Sequence, residues 1–289
     1  MLIQKTDQPF YRKKRSIQLN GALITLDRPV VMGILNLTPD SFYDGGCYRQ
    51  EKEVLQRAEE ILLEGGMIID IGGVSTRPGA AMVSQEEELE RLLPQVIAIH
   101  RHFPLAILSI DSYRSEVISR IYDEIGGFIV NDISGGLLDH QMFKTVARLG
   151  IPYILMHMQG TPQTMQQNPS YQDIVKEILL HLSERVNTLK LLGVNDVIVD
   201  PGFGFGKNIH HNYTLLNSLD AFRLFELPLM VGVSRKAMIW KLLKSSPAES
   251  LNGTTVLNTL ALLGGADILR VHDVREAIEA ILLVSELKK

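Results

Sequence analysis

Eight short apolar runs recur along this chain, and polar residues follow or close each of them. They are read at Val30 to Leu35, Met67 to Ile71, Leu105 to Asp111, Phe128 to Asn131, Tyr153 to Met156, Asp196 to Asp200, Leu229 to Val233 and Asp267 to Val271. Apolar runs this short and this continuous suit strands buried on both faces, as in a parallel sheet. Between them lie segments with apolar residues at three- and four-residue spacing. Val54, Leu55, Ala58, Ile61 and Leu62 form one such stripe, with charges on the opposite side of the helix. Gly65-Gly66, Gly126-Gly127, Gly150, Gly193 and Gly264-Gly265 stand just before the next strand, where helices often end. The alternation predicts an α/β fold, a single (β/α)8 barrel. Polar residues at the strand C-terminal ends, as at Asp70-Ile71-Gly72-Gly73, His157 and Asp200-Pro201-Gly202, mark its active face.

The rest of the chain fits one domain over residues 1–289. Ser16 to Leu26 carries Asn20-Gly21 between two alternating segments, so it reads as a hairpin closing the bottom of the barrel. Residues 1–15 read as a solvated arm, because Arg12-Lys13-Lys14-Arg15 is followed by no apolar h-region. No apolar run reaches the roughly 18 to 20 residues of a membrane span. A net charge of −4 provides no general attraction for nucleic acid or membrane. One cysteine, Cys47, gives neither an internal disulfide nor a zinc-ligand set, which suits the cytoplasm, and no neighbour activates it as a nucleophile.

The strand ends carry the chemistry. Asp111, Asn131, Asp200 and Lys236 would converge over the barrel mouth and offer carboxylate acceptors, an amide and a cation. An amino-pyrimidinone heterocycle needs that mixture, since its N–H and NH2 suit a carboxylate and its carbonyl and ring nitrogens suit Lys or Asn donors. Each Asp or Asn alone could instead cap the following helix. Asn36, Arg270 and His272 end the first and last strands, which are neighbours in a closed barrel. They read as an anion site in which Asn36 could also donate an oxygen to Mg2+. The alternative for Arg270 is simple pairing with Asp267 or Asp273. Gly202-Phe203-Gly204-Phe205-Gly206-Lys207 lacks the Walker spacing and the GxGxxG pattern, so its glycines shape a loop and Phe205 is a candidate stacking wall. Met156 alone reads more readily as core than as a second wall.

Taken in order, Met32 to Phe42, Gly72 to Ala80, Asn131-Asp132-Ile133, Met156 to Gly160, Asp200 to Lys207, Gly232 to Lys236 and Arg270 to Val274 closely resemble the dihydropteroate synthase family of pterin-binding barrels. The resemblance covers Val30 to Val274. Val74 departs from it where a polar residue is usual, and Ser112 stands in place of Thr. It implies an enzyme that joins p-aminobenzoate to hydroxymethyl-dihydropterin pyrophosphate, forming dihydropteroate and pyrophosphate through a dissociative pterin-cation route. By resemblance Asp111, Asn131, Asp200 and Lys236 hold the pterin, Arg270 lies along its ring, and Met156 and Phe205 wall it. Asn36, Arg77, Arg270 and His272 hold the diphosphate with Mg2+, and Phe42, Thr76, Pro78 and Ser234 border the aminobenzoate pocket. The catalytic set is then Asp111, Asp200, Lys236, Arg270 and His272. The loops around Phe42 and Thr76-Arg77-Pro78 are expected to close only with Mg2+ and pyrophosphate, so that a sulfonamide would need both to bind tightly. The family resemblance also implies a homodimer. A pterin-dependent corrinoid methyltransferase would share the pterin residues but not the Asn36 loop or the Arg270 and His272 pair. A barrel that only binds pterins is the non-catalytic alternative.

Overall fold

The computed structural model describes residues 16–37, 47–74 and 83–287. Strands β1 (Ser16–Leu19) and β2 (Ala22–Thr25) pair antiparallel across Asn20-Gly21, both at positive φ, as a tight hairpin turn requires. The barrel strands are β3 (Val30–Asn36), β4 (Ile68–Gly72), β5 (Ile107–Asp111), β6 (Ile129–Asp132), β7 (Tyr153–Met156), β8 (Val197–Asp200), β9 (Met230–Val231) and β10 (Ile268–Val271). Around them lie α1 (Cys47–Leu63), α2 (Gln85–His102), α3 (Ser115–Ile125), α4 (Met142–Leu149), α5 (Ile174–Leu191), α6 (Ile209–Asn217), α7 (Ala237–Leu243), α8 (Leu251–Gly264) and α9 (Val274–Glu286). A 3-10 helix, Leu219–Phe225, precedes β9.

The strands are parallel, in the order β8-β7-β6-β5-β4-β3-β10-β9. A parallel bridge between Val199 and Leu229 joins the two outer strands and closes the barrel. All eight expected strands are present, with small shifts at their ends. Leu105 is 96% exposed and lies before β5. β9 is shorter than its apolar run. Leu229 donates its N–H to Asp267 Oδ2 at 2.8 Å, so a side chain takes a bond that a longer strand would give to backbone.

Period-two alternation sorts each strand into two faces. The outward set packs under the helices, where Val54, Ala58 and Ile61 of α1 meet Val31, Leu35 and Ile71 in one core. The inward set begins with an apolar layer of Met32, Ile68, Ile107, Ile129, Ile154, Ile198, Met230 and Ile268, one from each barrel strand. Ile17 and Leu26 of the hairpin region join this layer, and Gln18 N–H is fixed by Asp196 Oδ1 at 3.0 Å. The hairpin therefore closes the N-terminal end of the barrel, as expected. Two residues further along each strand comes the next inward layer: Ile34, Asp70, Ser109, Asn131, Met156, Asp200, Gly232 and Arg270. Asp70, Ser109, Asn131, Asp200 and Arg270 make this layer largely polar, directly above the apolar one. Among the described residues no helix is long and apolar enough to cross a membrane. The arm at residues 1–15 lies outside the described residues.

Candidate active site

Asp70 stands at the centre of the charged layer and is fully buried. Ser109 donates its hydroxyl to Asp70 Oδ1 at 2.6 Å, and Asn131 Nδ2 lies 3.2 Å from both carboxylate oxygens. Arg270 Nε donates to Asp70 Oδ2 at 2.7 Å, while its Nη2 reaches Asp70 Oδ2 at 2.6 Å and Asp111 Oδ2 at 2.8 Å. One guanidinium thus holds two carboxylates, a geometry that its planar fork suits and a lysine could not reproduce. Burial pushes Asp111 up to about 7, with Arg270 opposing the rise and the charge of Asp70 adding to it. Such a group sits near its titration midpoint at neutral pH.

On the other side of the mouth, Asp200 Oδ1 accepts the Gly202 N–H at 2.7 Å. Burial raises its pKa above the ordinary carboxylate value, against the pull of Lys236, the Gly202 amide, Lys207 and Arg270. Lys236 Nζ donates to the Phe203 carbonyl and lies 4.8 Å from the centroid of the Phe205 ring. Burial lowers its pKa to about 8, with Asp200 opposing. Met156 and Phe205 pack together with Ile133, Met158, Met165 and Tyr113 in a small apolar cluster distinct from the two barrel cores. Asn131 and Asp200 therefore lie in the same inward layer as Asp70 and Arg270, with Asp111 one inward step further along β5 and Lys236 beyond the end of β9, and the charges of Asp200, Lys236 and Arg270 act on one another.

The capping alternative fails for the residues assigned to the site and holds for their neighbours. Asp139 Oδ2 accepts the Ser115 N–H at the start of α3, and Ser112 Oγ accepts the Arg114 N–H. Asp132, pointing outward, accepts from Ser134 N, Ser134 Oγ, Gly136 N and Tyr153 Oη at 2.7 to 2.8 Å. Asn131 and Asp132 are adjacent, but the pleat assigns one to chemistry and the other to structure. Tyr153→Phe should cost about 1 kcal/mol, because one bond to a buried carboxyl is lost while three remain. Chemical denaturation checks this, and unchanged stability would show that the bond contributes nothing net.

Simple pairing of Arg270 with Asp267 or Asp273 is also ruled out. Asp273 receives Arg235 Nε and Nη2 at 2.9 and 2.7 Å, and Asp267 receives Leu229. His272 lies two residues beyond Arg270 and is held differently. Its N–H donates to Ser234 Oγ at 3.2 Å, its Nδ1 is 3.1 Å from the same hydroxyl, and its carbonyl accepts Arg57 Nη2 at 2.7 Å. Ser234, expected beside the aminobenzoate, is thus in contact with the residue expected at the diphosphate. Asn36 pairs in register with Gly72, and Gly72 with Asp111. A Cβ on Gly72 would stand 3.4 Å from Asp111 Cβ and 3.7 Å from Asn36 Oδ1, so the glycine keeps a cradle open between an amide oxygen and a carboxylate.

Phe42, Thr76, Arg77 and Pro78 lie outside the described residues. Asp70, Ser109 and Lys207 are in or against the site; the sequence marks Asp70 as part of the active face without a ligand role, and singles out neither Ser109 nor Lys207 for the site. Asp70 had a signal, since it stands two residues beyond an inner apolar residue just as Asn131 and Asp200 do.

A family model described as pterin binding enzyme matches residues 32–272. The chain is 46% identical over 266 residues to the dihydropteroate synthase of Escherichia coli K12, covering 91% of this chain and 93% of that protein. A crystal structure of the Yersinia pestis dihydropteroate synthase with a sulfonamide drug complex superposes with TM-score 0.88 at 42% identity, covering 94% of this chain and 99% of the other. The Xanthomonas albilineans dihydropteroate synthase with 4-aminobenzoic acid superposes with TM-score 0.87 at 35% identity, covering 95% and 98%. The buried carboxylates and the guanidinium that spans them therefore sit on the barrel of the pterin-binding enzymes. Within that class, the chain belongs to the dihydropteroate synthase family.

Proposed function

We propose that this enzyme is a transferase that condenses p-aminobenzoate with hydroxymethyl-dihydropterin pyrophosphate, giving dihydropteroate and pyrophosphate. The observation that carries the reading is the Arg270 guanidinium shared between Asp70 and Asp111, in a layer with Asn131 and Asp200. Carboxylates fixed in this way are acceptors for the N–H and NH2 groups of a pterin, and Lys236 supplies a donor for its ring acceptors. Departure of pyrophosphate leaves positive charge on the pterin side and negative charge on the leaving group. Asp111 and Asp200 would stabilise the first, and His272 with Arg77 the second. The aniline nitrogen then attacks the exocyclic methylene, so no covalent enzyme intermediate is needed. Sulfonamide and 4-aminobenzoic acid complexes of relatives support an aminobenzoate pocket beside this layer.

Mg2+ fits the same reading. Among the described residues no three His, Cys, Asp or Glu side chains gather to hold a metal, and Mg2+ commonly relies on substrate phosphates, waters and few protein oxygens. Asn36 Oδ1, facing the cradle over Gly72, is the residue that would hold it. When bound, the ion would offset charge on the departing pyrophosphate. Pyrophosphate release should require p-aminobenzoate and decline in EDTA, returning when Mg2+ is restored. No release with both substrates and Mg2+ present would overturn the activity, and full activity in EDTA would remove the metal. His272→Ala should weaken the pterin pyrophosphate at least about tenfold more than the plain hydroxymethyl-pterin, the loss expected for one hydrogen bond to an anion. Equal losses for both ligands would make His272 a support of the fold.

A cytoplasmic homodimer completes the proposal. Val256, Leu260 and Leu263 make an exposed apolar stripe on α8, and α9, which packs against α8, exposes Leu282 and Leu283. Stripes of this kind commonly mark subunit contacts. Leu260→Asp should produce monomers in sedimentation, and an unchanged mass would place the contact elsewhere.

A further inference from the structure

Lys207 follows a glycine-rich loop, where a lysine would ordinarily be solvated, yet only 2% of it is exposed. Its Nζ lies 2.8 Å from Gly202 O, 2.9 Å from Phe205 O, 3.0 Å from His157 Nδ1 and 3.3 Å from His157 O. The three carbonyl oxygens are acceptors, enough for an ammonium with three donors, and the His157 ring nitrogen is a fourth in the tautomer that carries its proton on Nε2. The bonds run to both ends of the β8–α6 loop and to the end of β7. Three further loop carbonyls are taken by side chains: Phe203 O by Lys236, Gly204 O by Gln166 and Gly206 O by Tyr171. Gly202 could not be replaced without disruption, because at φ +73° a Cβ there would stand 1.9 Å from His157 O. The loop is thus clamped against β7, with Lys207 as its central fastening.

The two loop residues that Lys207 holds by their carbonyls are tied to the site. Gly202 gives its N–H to Asp200, and the Phe205 ring lies under Lys236 and packs with Met156. We infer that Lys207 is a positioning residue for the pterin site, holding Asp200 and Phe205 in place from behind the loop and giving Asp200 a second counter-charge; this rests on the pterin-binding reading above. The charges facing Asp200 are Lys236, Lys207 and Arg270. Those facing Lys207 are Asp200 and Lys236, with His157 in contact and His181 stacked edge-on against His157 at 4.9 Å. Burial lowers Lys207 to about 7 and Asp200 pulls it back up, while burial and the cations nearby push His157 to about 2 and keep it neutral as an acceptor. By reciprocity, if the charge on Lys207 favours bound pterin, bound pterin must favour the charge on Lys207.

The test compares Lys207→Met with the wild type by calorimetry, using hydroxymethyl-pterin without phosphate, between about pH 5.5 and 9. The expected result is a loss of about tenfold or more in pterin affinity at neutral pH, with the acid limb of binding displaced upward by about one pH unit. Affinity for Mg2+ and pyrophosphate should be unchanged, and the KM for p-aminobenzoate should hold while that for the pterin substrate rises. Pterin affinity and acid limb equal to wild type would reduce Lys207 to a structural filler. Should Lys207→Met fail to fold, the wild type decides: the Lys207 Nζ pKa, followed by NMR, should rise on pterin binding and stay fixed on adding pyrophosphate. No change with pterin bound overturns the inference. Wild-type protein that binds no pterin at all would instead overturn the functional reading.

Discussion

Replacing Arg270 with methionine is expected to destabilise the protein by about 3 to 5 kcal/mol, the range for removing one partner of a buried ion pair. Asp70 is fully buried, and among the described residues Arg270 is its only cationic partner. Without the guanidinium, Asp70 keeps the Ser109 hydroxyl and the Asn131 amide, which do not balance a charge in a low-dielectric interior. Pterin binding should be lost as well, because the same guanidinium fixes Asp111 Oδ2 at 2.8 Å. A double variant separates the two effects. Adding Asp70→Asn to Arg270→Met removes the stranded charge, so stability should recover part of the way while pterin binding does not return. A double variant no more stable than Arg270→Met would show that the cost lies in packing around the arginine stem.

The Asp70–Arg270 pair also shows what sequence can and cannot reveal. Asp111 and Asp200 are the last residues of their strands, so strand-end polarity made them legible. Asp70 is two residues short of the end of β4, within an otherwise apolar run, and its partner is 200 residues away in sequence. Only the barrel register puts β10 beside β3 and β3 beside β4, within reach of a long arginine. Lys207 escaped for another reason. A lysine after Gly-Phe-Gly-Phe-Gly looks solvated unless the loop folds back over it, and that depends on contacts with β7 that no local pattern encodes. Conversely, the hairpin, the helix stripes and the barrel strands were readable because each depends on a short-range period or turn chemistry. The expected diphosphate and aminobenzoate contacts at Phe42, Thr76, Arg77 and Pro78 fall outside the described residues, and they rest on the family resemblance.

Asp200→Asn is expected to move binding and stability in opposite directions. Pterin affinity should fall by about 1.5 to 3 kcal/mol, because the ligand N–H groups lose a charged acceptor and keep only a neutral one. Stability should rise at neutral pH. Burial raises the pKa of Asp200 in the folded protein, so between the unfolded and folded values the folded state holds the proton more firmly, and folding stability is lost as pH rises through that window. The ionised carboxylate is therefore a cost that the empty site carries, despite Lys236, Lys207 and Arg270 nearby. Asparagine mimics the protonated form, and its oxygen can still accept the Gly202 N–H. Binding has the reverse dependence on pH: the pterin selects ionised carboxylates, so wild-type affinity should decline as falling pH protonates Asp200, whose pKa is raised, and Asp111, which titrates at about 7. In Asp200→Asn the decline should be shallower, with Asp111 alone responsible. Calorimetry across this range, together with thermal melts of the empty protein, tests both signs. A variant that melts lower than wild type would mean that the three cations outweigh burial at Asp200, and unchanged pterin affinity would remove Asp200 from the site.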